Sequence, residues 1–244
     1  VGKPEAVCIS LGKTVALVQA RMGSTRFPGK MLQLLGNHPI LEWVLRRVIR
    51  AKFINEVVLA TTDRSIDDPL VELAKHLGTG VFRGSETDVL GRFAAAAEYY
   101  QAETVLRICA DNPFVDPDEL DRLVRGFSDN FCDYACNHQN RLGSRYADGF
   151  GGEIFSIQTL QKIDTDSFLS KHREHVTLYI WENAEKFCMY SIPAPAALAY
   201  PKMKFDVDTK QDLHQLKSII SLGINLNSKA NTIVEKMIEL KLTN

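Results

Sequence analysis

Arg21, Arg26 and Lys30 fall within ten residues of one another, interleaved with Gly23, Ser24, Thr25 and Gly29 in the stretch VALVQARMGSTRFPGKML, residues 15–32. Glycines let a backbone turn sharply and approach a ligand with no Cβ in the way. Successive N–H groups in such a turn form a concavity for anions, and arginine can hold a phosphate through paired N–H donors. Together these residue types suit a triphosphate cradle. The stretch is not a Walker-type loop, because Met31 follows Lys30 where Ser or Thr would stand, and it is not GxGxxG. The plainer reading of the same residues is a surface loop with solvated cations.

Carboxylates recur beyond the cradle. Asp111 stands just past the apolar run TVLRIC (104–109), and Asp206 and Asp208 stand at the end of KMKFDVD (202–208). Mg²⁺ takes a few carboxylates and completes its shell with phosphate oxygens and water, so these residues suit a metal–nucleotide if they share the cradle's sheet edge. Read singly, Asp111 also suits an Asx turn with Asn112 and Pro113, and Asp208 a helix cap with Thr209 and Asp212. Cys132, Cys136 and His138 cluster in CDYACNH, one ligand short of a zinc set, and read as buried thiols.

The elements that must position these groups follow from periodicity. TVALVQA (14–20), EVVLATT (56–62), TGVFR (79–83) and TVLRIC (104–109) are short apolar runs, the pattern of strands buried on both faces. Between them PILEWVLRRVIRAK (39–52) and DVLGRFAAAAEYYQA (88–102) carry apolar residues at helical spacing. A further helix starts with Asp68 as cap before Pro69 and ends at Gly78. Asp116, Pro117 and Glu119 read as a capping-box start over 115–124. Strand–helix alternation through residue 127 implies a parallel sheet, and ligands of such sheets bind outside the carboxyl ends of the strands. From about 132 the alternation loosens into the polar segment 137–153, a helix around 172–183 and a strand at 187–192. It returns with a strand over 202–208, a helix over 209–223 and a last amphipathic helix over 231–242. The fold class is therefore α/β, a doubly wound, mostly parallel sheet with a small inserted subdomain. The expected organisation is one domain over 14–223, an insertion about 132–195, and a C-terminal helix in 224–244.

The chain has 244 residues, with 29 Lys and Arg against 30 Asp and Glu. That balance argues against a general nucleic-acid or membrane-surface binder. No apolar run reaches the roughly 18–20 residues of a membrane span, and residues 1–13 read as a lead-in without a signal-peptide pattern. Five cysteines (Cys8, Cys109, Cys132, Cys136, Cys188), odd in number, suggest reduced thiols and a cytoplasmic protein.

QARMGSTRFPGKML resembles the opening motif of the cytidylyltransferases that activate acidic sugars, among them the 3-deoxy-manno-octulosonate and acylneuraminate cytidylyltransferases, and most of all the spore-coat polysaccharide F-type branch. The resemblance continues, in the family's order, with ATTDRSIDDPLVELAKHLG (60–78), VFRGSETDVLGRF (81–93), RICADNPFVDPDELD (107–121), REHVTLYIWEN (173–183) and FDVDTKQDL (205–213). It covers roughly residues 14–222 and implies a Rossmann-like nucleotidyltransferase, GT-A-like fold. It also implies transfer of CMP from CTP to a sugar or sugar-acid hydroxyl, for surface polysaccharide biosynthesis, with Mg²⁺ and as a homodimer.

Carried onto this sequence, the resemblance makes Arg21, Lys30 and Asp111 catalytic. It places Ala20, Arg21, Met22, Gly23, Ser24, Arg26 and Lys30 on the nucleotide, with Gly84, Ser85 and Asp88 in the base-recognition loop. It assigns Asp111 and Asp208 to the metal, with Asp206 as a third ligand. Glu153, Arg173, Glu174 and His175 fall on the acceptor side, although three successive helical residues cannot all face one site. Related sequences read GLDVE where this one reads GFGGE (149–153), so Gly151 stands in place of an acidic residue and the acceptor is left unnamed. Two alternatives keep the fold or the binding alone: a sugar-1-phosphate nucleotidyltransferase using another NTP (or a glycosyltransferase reading DVD as its metal motif), and a catalytically silent nucleotide-binding module.

Overall fold

The apolar run TVALVQ forms β1 (Thr14–Gln19), which is buried on both faces because it lies inside the sheet. Ala16 and Val18 pack into one core layer, Val15 and Leu17 into the other, the two-residue period of a strand. The computed structural model describes residues 11–242, so most of the lead-in and Cys8 lie outside the described residues. A short hairpin of β2 (Leu34–Leu35) and β3 (His38–Pro39) leads into α1 (Ile40–Val48), and then come β4 (Glu56–Thr62), α2 (Asp68–His76), β5 (Gly80–Gly84), α3 (Val89–Tyr99), β6 (Thr104–Cys109) and α4 (Pro117–Asn130). β7 (Tyr134–Cys136), β8 (Glu153–Ser156), α5 (Ile157–Asp166), α6 (Ser170–Glu174), α7 (Leu178–Glu182), β9 (Met189–Ser191), α8 (Lys210–Ile220) and α9 (Ala230–Leu242) complete the order.

Seven strands share one sheet in the order β5-β4-β1-β6-β8-β7-β9. β5, β4, β1 and β6 run parallel, β8 runs antiparallel to β6 and to β7, and β9 is parallel to β7. Residues of α1, α2, α4, α8 and α9 pack in one apolar layer, those of α3, α5 and α7 in the other. The sheet is therefore doubly wound and mostly parallel. Chain progression runs outward from β1 through β4 to β5, then α3 crosses the opposite face to β6 on β1's other side. The switch point lies between the carboxyl ends of β1 and β6, where crevices form in such sheets. Gln19 and Cys109 sit side by side there.

Four sequence expectations change. Residues 202–208 leave a turn at Pro201–Lys202 and form no strand of the sheet, since both edges of β6 are already taken by β1 and β8. The segment instead makes an isolated bridge between Lys204 and Asp148, and Val207 N–H donates to the Asp111 carbonyl at 2.8 Å. The expected helix at 172–183 is two short helices, parted where His175 turns extended and the Thr177 hydroxyl donates to buried Glu153. Asp68 is the first residue of α2 and not its cap, after a 3₁₀ turn over Ser65–Asp67. Asp116 caps α4 as expected, but Glu119 closes no capping box; its carboxylate accepts from the Tyr146 hydroxyl. β8 and α5 were not foreseen, because four residues after a glycine run carry too little periodicity to read. No helix among the described residues is long and apolar enough to cross a membrane.

Candidate active site

The cradle follows β1 directly. Met22 N–H donates to Asp67 at 2.7 Å, while the Met22 carbonyl accepts from Ser24 at 2.9 Å and Gly29 at 3.1 Å, folding residues 22–29 into a compact turn. Gly29 has φ +69°, a left-handed value that suits glycine. Asp67 is fully buried and also takes a short hydrogen bond from the Thr62 hydroxyl, so it anchors the turn to the end of β4. Nothing in SIDDP distinguishes this aspartate from its neighbour before folding. Ala20, Arg21, Ser24, Arg26 and Lys30 line a cavity of about 330 Å³ with Asp111, Asp208 and Glu174. Met22 and Gly23 shape the turn without lining it.

Lys30 joins the two distant aspartates. Its ammonium donates to the Val207 carbonyl at 2.8 Å and stands 3.3 Å from Asp111 and 3.5 Å from Asp208. Arg26 reaches the other oxygen of Asp208 at 2.9 Å. Asp208 does not cap α8; Thr209 does, in a capping box with Asp212. Around this group negative charge is crowded. Burial, reinforced by Asp206, pushes the Asp148 carboxyl up to about 7, and burial also raises Asp206. Asp206 is held by Lys204 at 3.3 Å, and its buried Oδ1 has no partner among the described residues. This surplus fits a cation. Asp111 and Asp208 could hold a divalent metal together with phosphate oxygens; the described residues present no cluster of three protein ligands, and Asp206 does not join the pair. Cys109 also lines the cavity, but burial lifts its thiol to about 12 against the opposing pull of Arg107, which leaves no thiolate nucleophile.

The segment after β5 closes over the cradle from the side. Glu86 pairs with Arg64 at 2.7 Å and with Arg21 at 3.8 Å. A Cβ on Gly23 would stand 3.2 Å from its carboxylate. Gly84 and Ser85 do not line the cavity, and Asp88 is committed elsewhere: it caps α3 and makes a two-point pair with Arg173 at 2.7 and 2.8 Å. Against its burial, Arg173 holds the Asp88 carboxyl below its usual range. Arg83 braces Asp68 and the Thr62 carbonyl. Arg92 is 2% exposed, and burial followed by Arg21 lowers it to about 10, still protonated at neutral pH.

On the acceptor side, three successive residues take three directions. Arg173 turns back to Asp88 and Asp164, Glu174 lines the cavity of the cradle, and His175 lines a second cavity of about 580 Å³. Glu153 faces neither. It is 1% exposed and is bound by Arg107, the Tyr134 hydroxyl and the Thr177 hydroxyl. Burial would raise its carboxyl; Arg107 foremost, with His138, holds it down to about 2. Arg107, read in the sequence only as part of a strand, lines both cavities. Packing leaves room only for glycine at position 151. A Cβ on Gly151 would stand 2.0 Å from Asn137 Oδ1, and that oxygen accepts from Gly152 N–H at 3.0 Å while its amide donates to the Glu119 carbonyl.

Comparison with known proteins is specific. A family model described as cytidylyltransferase matches residues 15–240. The spore coat polysaccharide biosynthesis protein SpsF of Bacillus subtilis is 35% identical over 208 residues, 83% of this chain and 84% of that one. A 3-deoxy-manno-octulosonate cytidylyltransferase of Trichlorobacter lovleyi is 32% identical over 117 residues, 48% of this chain and 45% of the other. The structure of a cytidylyltransferase from Leptospira borgpetersenii superposes with a TM-score of 0.84 at 35% identity, covering 95% of this chain and 94% of that one. The chain belongs to the cytidylyltransferase family.

Proposed function

We propose that this member of the cytidylyltransferase family transfers CMP from CTP to a hydroxyl of a sugar or sugar acid, releasing pyrophosphate, in the making of surface polysaccharide. The observation that carries the reading is the meeting of Lys30, Asp111 and Asp208 beneath the Arg21–Arg26 turn at the switch point of the sheet. In the reaction the acceptor oxygen forms a bond to the α-phosphorus, the α–β bridging P–O bond breaks, and the hydroxyl proton leaves to a base or to water. No protein nucleophile is needed, so positioning and charge stabilisation carry the rate. Arg21, Arg26 and Lys30 hold the β- and γ-phosphates that depart. Asp111 and Asp208 would hold Mg²⁺, which neutralises the triphosphate and polarises the phosphoryl oxygen. Ala20 and Ser24 approach the nucleotide from the turn, whereas Gly84, Ser85 and Asp88 stand outside the cavity and are not needed in this reading. We further read the protein as cytoplasmic and homodimeric, the former on the unpaired thiols of Cys109, Cys132, Cys136 and Cys188 and the latter on Phe168 (88% exposed) and Leu169 between α5 and α6.

Pyrophosphate release tests the reading, with each of the four NTPs, Mg²⁺, and panels of sugar acids and sugar phosphates. Release with CTP plus an acceptor, and with no other NTP, is the expected result. Release with UTP or GTP and a sugar phosphate would replace it with a sugar-1-phosphate nucleotidyltransferase. Tight NTP binding with no turnover on any acceptor would leave a silent binding module.

A further inference from the structure

The cysteines that cluster in CDYACNH part company in the fold, and one of them meets a cysteine from another segment. Cys136 turns into the layer of α3, α5 and α7, where its thiol stands 3.7 Å from the Ser191 hydroxyl. Cys132 packs into the opposite layer, next to Cys188, the exposed residue that precedes β9. We propose that Cys132 and Cys188 form a modification site, a dithiol that hydroperoxides convert reversibly to a disulfide tying the edge strand β9 to β7. The inference is independent of the cytidylyl-transfer reading and goes beyond it.

Backbone pairing brings the two together. Tyr134 stands opposite Met189 in the parallel ladder. One rung earlier, Asp133 N–H donates to the Cys188 carbonyl at 2.8 Å, and Cys188 N–H donates to the Asp133 carboxylate at 2.7 Å. Cys132 is one residue further back. With strands ~4.8 Å apart and a rise of ~3.3 Å per residue, its Cα lies about 6 Å from that of Cys188, within the roughly 4.4–6.8 Å that a disulfide spans. Both side chains also turn to the same layer. Phe187 and Met189 pack on the α3 side of the sheet, so alternation turns Cys188, between them, to the other side. Cys132 precedes β7, follows the left-handed Phe131 (φ +48°), and joins that other side as well.

Exposure gives the two thiols different parts. Cys188 is exposed and meets an oxidant first. Burial, followed by the neighbouring Cys188, pushes the Cys132 thiol up to about 11, so it stays protonated and inert toward the oxidant on its own. In the first step the Cys188 sulfur bonds to one peroxide oxygen and the O–O bond breaks, giving a sulfenic acid. The other oxygen takes up the Cys188 proton and leaves as an alcohol or water. In the second step the Cys132 sulfur bonds to the Cys188 sulfur, the S–O bond breaks, and the hydroxyl departs as water with the Cys132 proton. Each thiol gives up one electron, and one hydroperoxide takes both. β9 lies at the edge of the sheet and is held to β7 by three rungs, so a covalent tie at its start fastens a lightly paired strand. Cys132 lines a cavity of about 340 Å³ with Thr104, Phe127 and Phe131, at the end of β6 away from the cradle.

The full chain is treated with hydrogen peroxide at neutral pH, then with dithiothreitol, and followed by intact mass, peptide mapping and melting. The expected product is lighter by two hydrogens, carries a Cys132–Cys188 link and reverts with dithiothreitol. It should melt about 5–10 °C above the reduced protein, because the link constrains the unfolded chain. Cys136→Ser should keep the link, which distinguishes Cys132 from its near neighbour. Cys188→Ser should abolish the link and the melting shift while the reduced protein melts as before; its site is exposed, so the test holds even where the buried Cys132→Ser fails to fold. Oxidation of Cys188 to a sulfinic acid in place of a link, a link from Cys188 to Cys8 or to a second chain, or no reaction with peroxide would overturn the proposal. So would a melting shift that persists in Cys188→Ser.

Discussion

Two ionic clusters face the same end of the sheet and are built on opposite principles. In the first, Lys30 stands between Asp111 and Asp208, whose side chains are 31% and 26% exposed, at loose distances of 3.3 and 3.5 Å. In the second, Arg107 grips a Glu153 side chain that is 2% exposed and satisfied on every side. Partly open carboxylates loosely held by a lysine can trade it for a cation or yield it to a phosphate. A carboxylate sealed among three donors cannot trade anything. The first arrangement suits chemistry on a ligand that comes and goes; the second suits holding one guanidinium still. Mutation should therefore separate the two, the open cluster through activity and the closed one through stability.

The largest effect belongs to the open cluster. Asp111→Asn should cut turnover by about 10³-fold or more, the scale of several kcal/mol of metal-borne stabilisation, while melting shifts little because partly exposed ion pairs contribute about 0–1 kcal/mol. Steady-state rates and calorimetry on one preparation check both halves; a matching collapse in stability would erase the contrast.

Glu153→Ala inverts the pattern. Leaving Arg107 buried without its partner should cost about 3–5 kcal/mol, or roughly 10 °C in melting temperature for a chain of this size. The same carboxylate should shape acid stability. Its folded pKa of about 2 lies below the ordinary glutamate value near ~4.3, so the stability it contributes is full above about pH 4.5 and is lost as pH falls toward 2. Melting curves between pH 2 and 6 should show a shallower acid limb in Glu153→Gln.

Gly151 tests how tightly the wall of the closed cluster is packed. Gly151→Asp must displace Asn137 and strand the Gly152 N–H and the Glu119 carbonyl, a loss of about 2–3 kcal/mol. Adding Asn137→Gly should recover part of it, since contacting residues couple in double-mutant cycles. Simple additivity in chemical denaturation would show that the two do not compete for space.

The smallest effect sharpens the reading of Asp208. Thr209→Ala should cost about 1 kcal/mol, a typical loss for an N-cap, whereas Asp208→Ala should leave melting nearly unchanged and impair turnover. Equal thermal losses would return Asp208 to a structural role.

Much of this arrangement is legible in the chain itself. The parallel half of the sheet could be read because each strand is a short apolar run bounded by turn residues, and burial on both faces demands that run whatever the rest of the chain does. The cradle could be read because its glycines and cations are contiguous, so a local turn suffices to gather them. Folding decided matters of another kind. Arg107 and Glu153 lie 46 positions apart, and only antiparallel pairing of β8 with β6 sets them side by side. Arg173, Glu174 and His175 are adjacent in the chain yet go to three different places, because the helix breaks after Glu174. Asp208 reaches Asp111 although its segment never joins the sheet, carried by backbone hydrogen bonds of Phe205 to Asp148 and of Val207 to Asp111. Short-range pattern determines which residues turn, cap or enter a strand; which charge meets which depends on pairing and burial between distant segments, and those energies arise only when the core closes.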